Sequence, residues 1–289
     1  MKYFEVNFRI EAPEETMQTA RDILSAMAGE AGFETFEETE EGITGYVQQQ
    51  LLDRDGLETI VNDFPLPHST VSYIVREAEY RDWNEQWEQQ GFEPIMVDRF
   101  IIHDGKHLPS TVNSELCTIE IHARQAFGTG THETTRMMVA TLAEMQLEGK
   151  RVLDCGTGTG ILAIVALKSE AQEAVGYDID EWSTENARHN AVINGVDERF
   201  RILLGDATVL DSVEGTFDVV VANINRNILL ADMPAMTAKL KPGGLFAISG
   251  FLTQDVDVLI DRAQELGLSM TAQQQEADWV CLLFTSESK

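Results

Sequence analysis

Val152-Leu153-Asp154-Cys155-Gly156-Thr157-Gly158-Thr159-Gly160-Ile161-Leu162-Ala163-Ile164 reads as a buried strand, a glycine turn and the opening of a helix. The apolar run stops at Asp154, glycine returns at alternate positions 156, 158 and 160, and aliphatic residues follow. A parallel strand that passes its chain to a helix through such a turn makes a nucleotide-cradling site at the carboxyl end of a doubly wound sheet. Glycine there allows left-handed backbone angles and a close approach to a ligand. The spacing also restricts the ligand. A dinucleotide fingerprint G-x-G-x-x-G begun at Gly156 needs glycine at position 161, and that residue is Ile161.

Around this turn, strand and helix patterns alternate. Short strands come first, over 95–103 and 117–122, and a helix follows at 133–146. The pattern then predicts strand 151–155, helix 159–168, strand 174–179, helix 181–194 and strands 200–204 and 217–222. Helix 227–239, strand 244–250 and helix 253–266 come next, and two final strands near 268–274 and 278–285 suit an antiparallel edge addition. Such alternation predicts an α/β domain with a doubly wound, Rossmann-like parallel sheet over 95–289.

Residues 1–78 read differently, as β-α-β-β-α-β. Phe4, Val6, Phe8 and Ile10 alternate with polar residues over a strand at 2–10. Pro13 can open a helix, Met17, Ala20, Leu24, Met27 and Ala31 recur at helical spacing, and Gly32 ends it. Strands follow at 33–38 and 43–51, then a short helix through Leu57, Ile60, Val61 and Phe64, then a strand through Val71, Tyr73 and Val75. That order predicts a small ferredoxin-like α+β domain, a platform for recognition. Between the domains, residues 79–94 read as a polar linker helix with Trp83 and Trp87 on one face.

Composition agrees with two globular domains: 289 residues, 43% hydrophobic. No apolar run reaches the length of a membrane span and the start is no signal peptide. Three widely spaced cysteines, Cys117, Cys155 and Cys281, fit neither a disulfide framework nor a zinc cluster, so no metal is expected and a reducing cytoplasm is. The net charge of −28 opposes binding to a phosphate backbone and suits a basic partner.

In a doubly wound sheet the chemistry sits at strand ends. Asp178, ending the second strand, can accept hydrogen bonds from both hydroxyls of a ribose, while Asp180 suits the cap of the next helix. Asp206 is placed either to meet an adenine amino group or to serve a turn. Asn223 ends the apolar run Val219-Val220-Val221-Ala222. The pattern Asp-x-Gly-x-Gly-x-Gly at 154–160 resembles motif I of S-adenosylmethionine-dependent methyltransferases, which implies Gly156 and Gly158 as cofactor contacts. For such an enzyme Asn223 makes chemical sense. Methylating an amine needs its lone pair, and holding a free lysine neutral at pH 7 costs about 4.6 kcal/mol. A carboxylate beside it would raise that cost, whereas an amide oxygen orients N–H bonds with less of it. A plain turn-forming Asn remains the alternative.

Ala126-Phe127-Gly128-Thr129-Gly130-Thr131-His132-Glu133-Thr134-Thr135 precedes a capped helix. Joined to motif I, to Asp178-Ile179-Asp180, to Ala222-Asn223-Ile224 and to Ser249-Gly250-Phe251-Leu252, it resembles the ribosomal protein L-eleven methyltransferases (PrmA) along the whole chain. The resemblance implies a class I methyltransferase domain behind a substrate-recognising N-terminal domain. It implies S-adenosyl-L-methionine as cofactor, with Thr135, Gly156, Asp178 and Asn223 touching it, and Asn223 meeting the acceptor. The substrate would be the basic large-subunit ribosomal protein L-eleven, methylated on lysine side chains and its N-terminal α-amine. The Phe127–Gly130 loop would close over the cofactor, and the enzyme would be a cytoplasmic monomer without direct nucleic-acid or membrane contact. His132 is assigned no role as a base.

Two features depart from the family pattern. Asn225-Arg226 stands where a small apolar pair is usual, which would put a cation at the mouth of the acceptor pocket. Glu34, Glu37, Glu38, Glu40 and Glu41 crowd the small domain, as a lysine-rich ligand or a solvated loop would allow. The rival readings are a glutamine-amide or RNA methyltransferase on the same fold, and a non-catalytic S-adenosylmethionine-binding module. The amide enzymes favour Asn-Pro-Pro-Tyr, and Asn223-Ile224-Asn225-Arg226 has neither proline.

Overall fold

The computed structural model describes residues 3–13, 16–33, 35–39, 41–49, 51–62, 64–67, 69–77, 91–107, 116–123, 128 and 130–287. The chain divides into two compact units, Met1–Trp83 and Asn84–Lys289. Most of the expected linker helix, with Trp83 and Trp87, lies outside the described residues, and 91–94 form no regular element.

The first unit runs β1 (Tyr3–Glu11), α1 (Met17–Glu30), β2 (Thr35–Thr39), β3 (Gly42–Gln48), α2 (Arg54–Asn62) and β4 (Thr70–Glu77). Its sheet has the order β2-β3-β1-β4 with every pair antiparallel, which is the split βαβ arrangement. Alternation in β1 buries Val6, Phe8 and Ile10 against Ala20, Leu24 and Ala28 of α1 and Leu57 of α2. Helix α1 starts later than Pro13 suggested. Thr16 holds the N-cap position and bonds back to Pro13 O at 2.9 Å, so the proline shapes the turn before the helix.

In the second unit, β5 (Ile95–Val97), β6 (Phe100–His103) and β7 (Cys117–Glu120) form a three-stranded sheet in that order. The single strand expected over 95–103 is a hairpin. Asp98 takes a left-handed φ of +52°, which folds β6 back antiparallel on β5. Asp tolerates that region better than most residues.

The main sheet is built from β8 (Arg151–Cys155), β9 (Glu173–Asp178), β10 (Phe200–Leu204), β11 (Phe217–Asn223), β12 (Leu240–Leu252), β13 (Leu268–Glu276) and β14 (Trp279–Ser286). Its order is β10-β9-β8-β11-β12-β14-β13. The first five strands run parallel, and β14 pairs antiparallel with both β12 and β13. Helices α3 (Glu133–Glu144), α4 (Ile161–Lys168) and α5 (Glu181–Ile193) cover one face, and α6 (Arg226–Ala238) and α7 (Val256–Glu265) the other. Period-two alternation divides each central strand between them: Val219 and Val221 face one core, Val220 and Ala222 the other. Helix α4 begins at Ile161 rather than 159, because Gly160 is still left-handed at φ +81°. Strand order reverses between β8 and β11, so the glycine turn leaves β8 at the switch point where open α/β sheets bind ligands.

Candidate active site

The carboxyl ends of β8, β9 and β11 open into a cavity of about 480 Å³. Thr135, Gly156, Gly158, Asp178 and Asn223, the residues singled out from the sequence, all line it.

The glycine turn is the floor. Gly156, Gly158 and Gly160 have φ of +71°, +52° and +81°, and the amides of Gly156 and Thr157 both donate to Tyr177 O at 2.9 Å. A Cβ on Gly156 would stand 2.3 Å from Cγ2 of Ile224. Gly156→Ala therefore combines a left-handed penalty of about 1–2 kcal/mol with a clash. We expect a lowered melting temperature and at least tenfold weaker cofactor uptake by isothermal titration.

Asp178 lies where β9 ends. Its Oδ2 accepts the Gly158 amide at 2.9 Å and its Oδ1 the Asp180 amide at 3.1 Å, so the carboxylate is aimed by backbone on both sides. Asp180 caps α5 by accepting from Ser183 N at 3.3 Å. Asp206 serves the turn, the second of the two roles considered for it. It lines the cavity, and it caps the short 3-10 helix Ala207–Ser212 through Thr208 Oγ1 at 2.5 Å and Thr208 N at 3.0 Å. Those two bonds hold its carboxyl below the usual carboxylate range.

Asp154 lies beneath the turn and is 1% exposed. Its Oδ2 accepts from Thr157 Oγ1 at 2.7 Å and Ala163 N at 3.3 Å, and its Oδ1 has no partner among the described residues. Burial pushes this carboxyl up to about 7; the two hydrogen bonds oppose the shift and the Asp178 charge adds to it. The folded chain thus keeps a proton that the unfolded chain releases, and stability falls as pH rises from about 4 to 7. Asp154→Asn keeps the shape and stays neutral. We expect it to flatten the dependence of melting temperature on pH over that window, with a gain on the order of 4 kcal/mol at the upper end.

Asn223 ends β11. Its Nδ2 donates to Oγ1 of the fully buried Thr135 at 3.4 Å, which leaves Oδ1 buried without a partner among the described residues. Asn225 caps α6 through Asn227 N at 2.8 Å. Arg226 corrects an expectation. Its Nη1 bonds Asp255 Oδ1 at 2.9 Å and its Nη2 bonds Asn227 Oδ1 at 2.8 Å, and it is not part of the cavity wall. The Asp255 carboxylate holds the guanidinium off the cavity wall.

His132 is the N-cap of α3. Its Nδ1 accepts from Thr134 N at 3.3 Å, and its ring meets Trp279 edge-on at 4.8 Å. Of the loop expected to close the site, Gly128 lines the cavity, while Phe127 and Thr129 lie outside the described residues. Glu34 and Glu40 of the acidic cluster also lie outside them. The sequence reading missed Trp279, Ile179, Ile228 and Asp232, all on the cavity wall. Ile179 follows Asp178 directly, and its 66% exposure marks an apolar side chain left at the mouth. Trp279 carries no local signal, because it arrives on the hairpin β13–β14 from far along the chain.

A Rossmann-like sheet with a glycine turn, an acid and an amide at its switch point is the arrangement expected of an S-adenosylmethionine-dependent methyltransferase. The profile of the family "Ribosomal protein L11 methyltransferase (PrmA)" matches residues 8–287, and this chain belongs to that family. A ribosomal protein L11 methyltransferase of Phocaeicola vulgatus is 42% identical over 285 residues, covering 98% of this chain and 99% of the relative. One of Porphyromonas gingivalis is 39% identical over 291 residues, covering 100% and 99%. The crystal structure of a ribosomal protein L11 methylase from Lactobacillus delbrueckii subsp. bulgaricus superposes with a TM-score of 0.62 at 26% identity. It spans 68% of this chain and all of that one.

Proposed function

We propose that this enzyme methylates lysine side chains and the N-terminal α-amine of ribosomal protein L11, as a cytoplasmic monomer that makes no direct contact with nucleic acid. The observation that carries the amine assignment is the unpartnered, buried Oδ1 of Asn223. A buried acceptor without a donor costs about 1–3 kcal/mol, and a small rotation that brought Oδ1 to the cavity would let an amine N–H satisfy it.

The residues present fit the cofactor. Gly156 and Gly158 would hold the cofactor over bare backbone, and the Asp178 carboxylate would accept from its ribose hydroxyls. Ile179 and Ile228, exposed apolar residues of the cavity wall, would pack on its base, and Asp206 on the same wall could accept from its amino group. Bound S-adenosylmethionine supplies an activated sulfonium methyl, so the chain's task is alignment and exclusion of water. Thr135 accepts from Nδ2 of Asn223, which leaves Oδ1 as the end of the amide without a partner among the described residues. Oδ1 would then accept an N–H of the incoming amine and so orient its lone pair. Being uncharged, it leaves the ammonium without extra stabilisation, and deprotonation before attack stays accessible. Trp279 and His132 wall the same side and shield the amine from solvent.

The net charge of −28 favours a lysine-rich protein over RNA. No helix among the described residues is long and apolar enough to cross a membrane. Transfer of radiolabelled methyl to purified L11, with ribosomal RNA as control, tests the proposal. Label appearing in lysine and the α-amine by mass spectrometry is the expected result. Label in RNA, or in glutamine amide, would replace it.

A further inference from the structure

Helix α5 carries a buried polar stripe where an amphipathic helix would place aliphatics. Asn186, Asn190 and Asn194 stand at i, i+4 and i+8, and are 3%, 0% and 8% exposed. Their amides read the backbone of β7 and its exit as a neighbouring strand would. Asn194 accepts from Glu120 N at 3.1 Å and donates to Glu120 O at 2.7 Å. Asn190 accepts from His122 N at 3.0 Å and donates to His122 O at 3.2 Å, and Asn186 adds a bond to His122 O at 2.8 Å. Residues 120 and 122 are two apart, so they present their N–H and C=O groups to the same side of an edge strand.

Asn190 does one thing more. Its Nδ2 also donates to Thr159 O at 2.9 Å, inside the glycine turn. Thr159 in turn donates from Oγ1 to Gly128 O at 2.7 Å, and Gly128 lines the cavity. One fully buried amide thus joins the turn that floors the cavity to His122, just beyond β7. Gly128 has little slack, since a Cβ there would lie 2.9 Å from Thr159 Oγ1.

The geometry points to Asn190 as a positioning residue for methyl transfer, one that sets the glycine turn, His122 and, through Thr159, Gly128 in a single register. It touches neither substrate nor cofactor; it acts through Thr159 and Gly128. Asn194 lies on the same stripe but makes no bond to the turn, so it reports helix docking alone. The inference rests on the methyltransferase reading above, and its test includes a measurement that needs no cofactor.

Three variants are compared with the parent enzyme: Asn190→Ala, Asn194→Ala and Thr159→Val. In the ligand-free chains, hydrogen exchange of the peptide spanning 128–132 should accelerate tenfold or more in Asn190→Ala and Thr159→Val and stay within twofold in Asn194→Ala. In titrations, Kd for S-adenosylmethionine should rise at least tenfold in Asn190→Ala, and KM for it should follow. It should stay within twofold in Asn194→Ala. Asn190→Asp keeps the acceptor for His122 N but turns a carboxylate on two carbonyl oxygens, so it should not rescue. Equal effects of Asn190→Ala and Asn194→Ala, or unchanged exchange at 128–132 in both Asn190→Ala and Thr159→Val, would overturn the assignment. If Asn190→Ala does not fold, Thr159→Val decides by the same readouts. A parent that fails to bind S-adenosylmethionine would sink the methyltransferase reading and leave the exchange result to judge the register.

Discussion

Asn223→Ala should lower kcat for methyl transfer to the ribosomal protein by about a hundredfold or more, with cofactor Kd raised less than tenfold. The amide does its work at the reacting nitrogen. Losing it frees the amine to rotate and lets water into the space left behind, and misplacement of about 1 Å at a reacting centre costs on the order of a hundredfold. Thr135 Oγ1 would also lose the group it accepts from, so the wall loosens on the α3 side. Asn223→Asp is the sharper control. It keeps shape and oxygen but sets a negative charge beside the acceptor and stabilises the ammonium. Its rate should recover as pH is raised, because more of the amine is then neutral. Single-turnover assays across pH, with titration of the cofactor in parallel, check both variants. A kcat for Asn223→Ala equal to that of the parent would remove the acceptor-site assignment.

Asp178→Ala should act in the opposite way, raising Kd for S-adenosylmethionine about a hundredfold or more while leaving single-turnover rates at saturation within about fivefold. Two hydrogen bonds from ribose hydroxyls to a carboxylate contribute about 1.5–3 kcal/mol each. The carboxylate also receives the amides of Gly158 and Asp180, so its removal slackens the glycine turn that must lie flat beneath the ligand. Asp178→Asn retains an acceptor for one amide and should fall between the two. Isothermal titration of the three proteins gives the ranking, and equal affinities would show that the acid serves the turn alone.

Much of this site was legible because its residues sit next to strand ends in the chain. Asp178 and Asn223 end apolar strands and Gly156 and Gly158 lie in the turn just beyond one, and a parallel sheet delivers every such end to one edge. Helix capping was equally local, and Asp180 caps as its spacing suggested. Boundaries were less readable. The hairpin at Asp98, the late start of α1 after Pro13 and the delay of α4 to Ile161 turn on single backbone angles or turn bonds. Arg226 shows the same limit for charge. Asp255 is 29 positions away and no local pattern announces that it will take the guanidinium.

Chemistry carried in contiguous residues was therefore settled by the amino-acid order: the alternating α/β plan, the glycine turn, the acid and the amide at their strand ends. Contacts between distant segments were settled only on folding. Trp279 against His132, the free oxygen left when Thr135 accepts from Asn223, and the asparagine stripe that ties Thr159 to His122 all join residues 60 or more positions apart, except for the 31 between Asn190 and Thr159. The physical reason is range. Backbone propensity and period act over a few residues, whereas the partner of a buried polar group is whichever group close packing brings within about 3 Å.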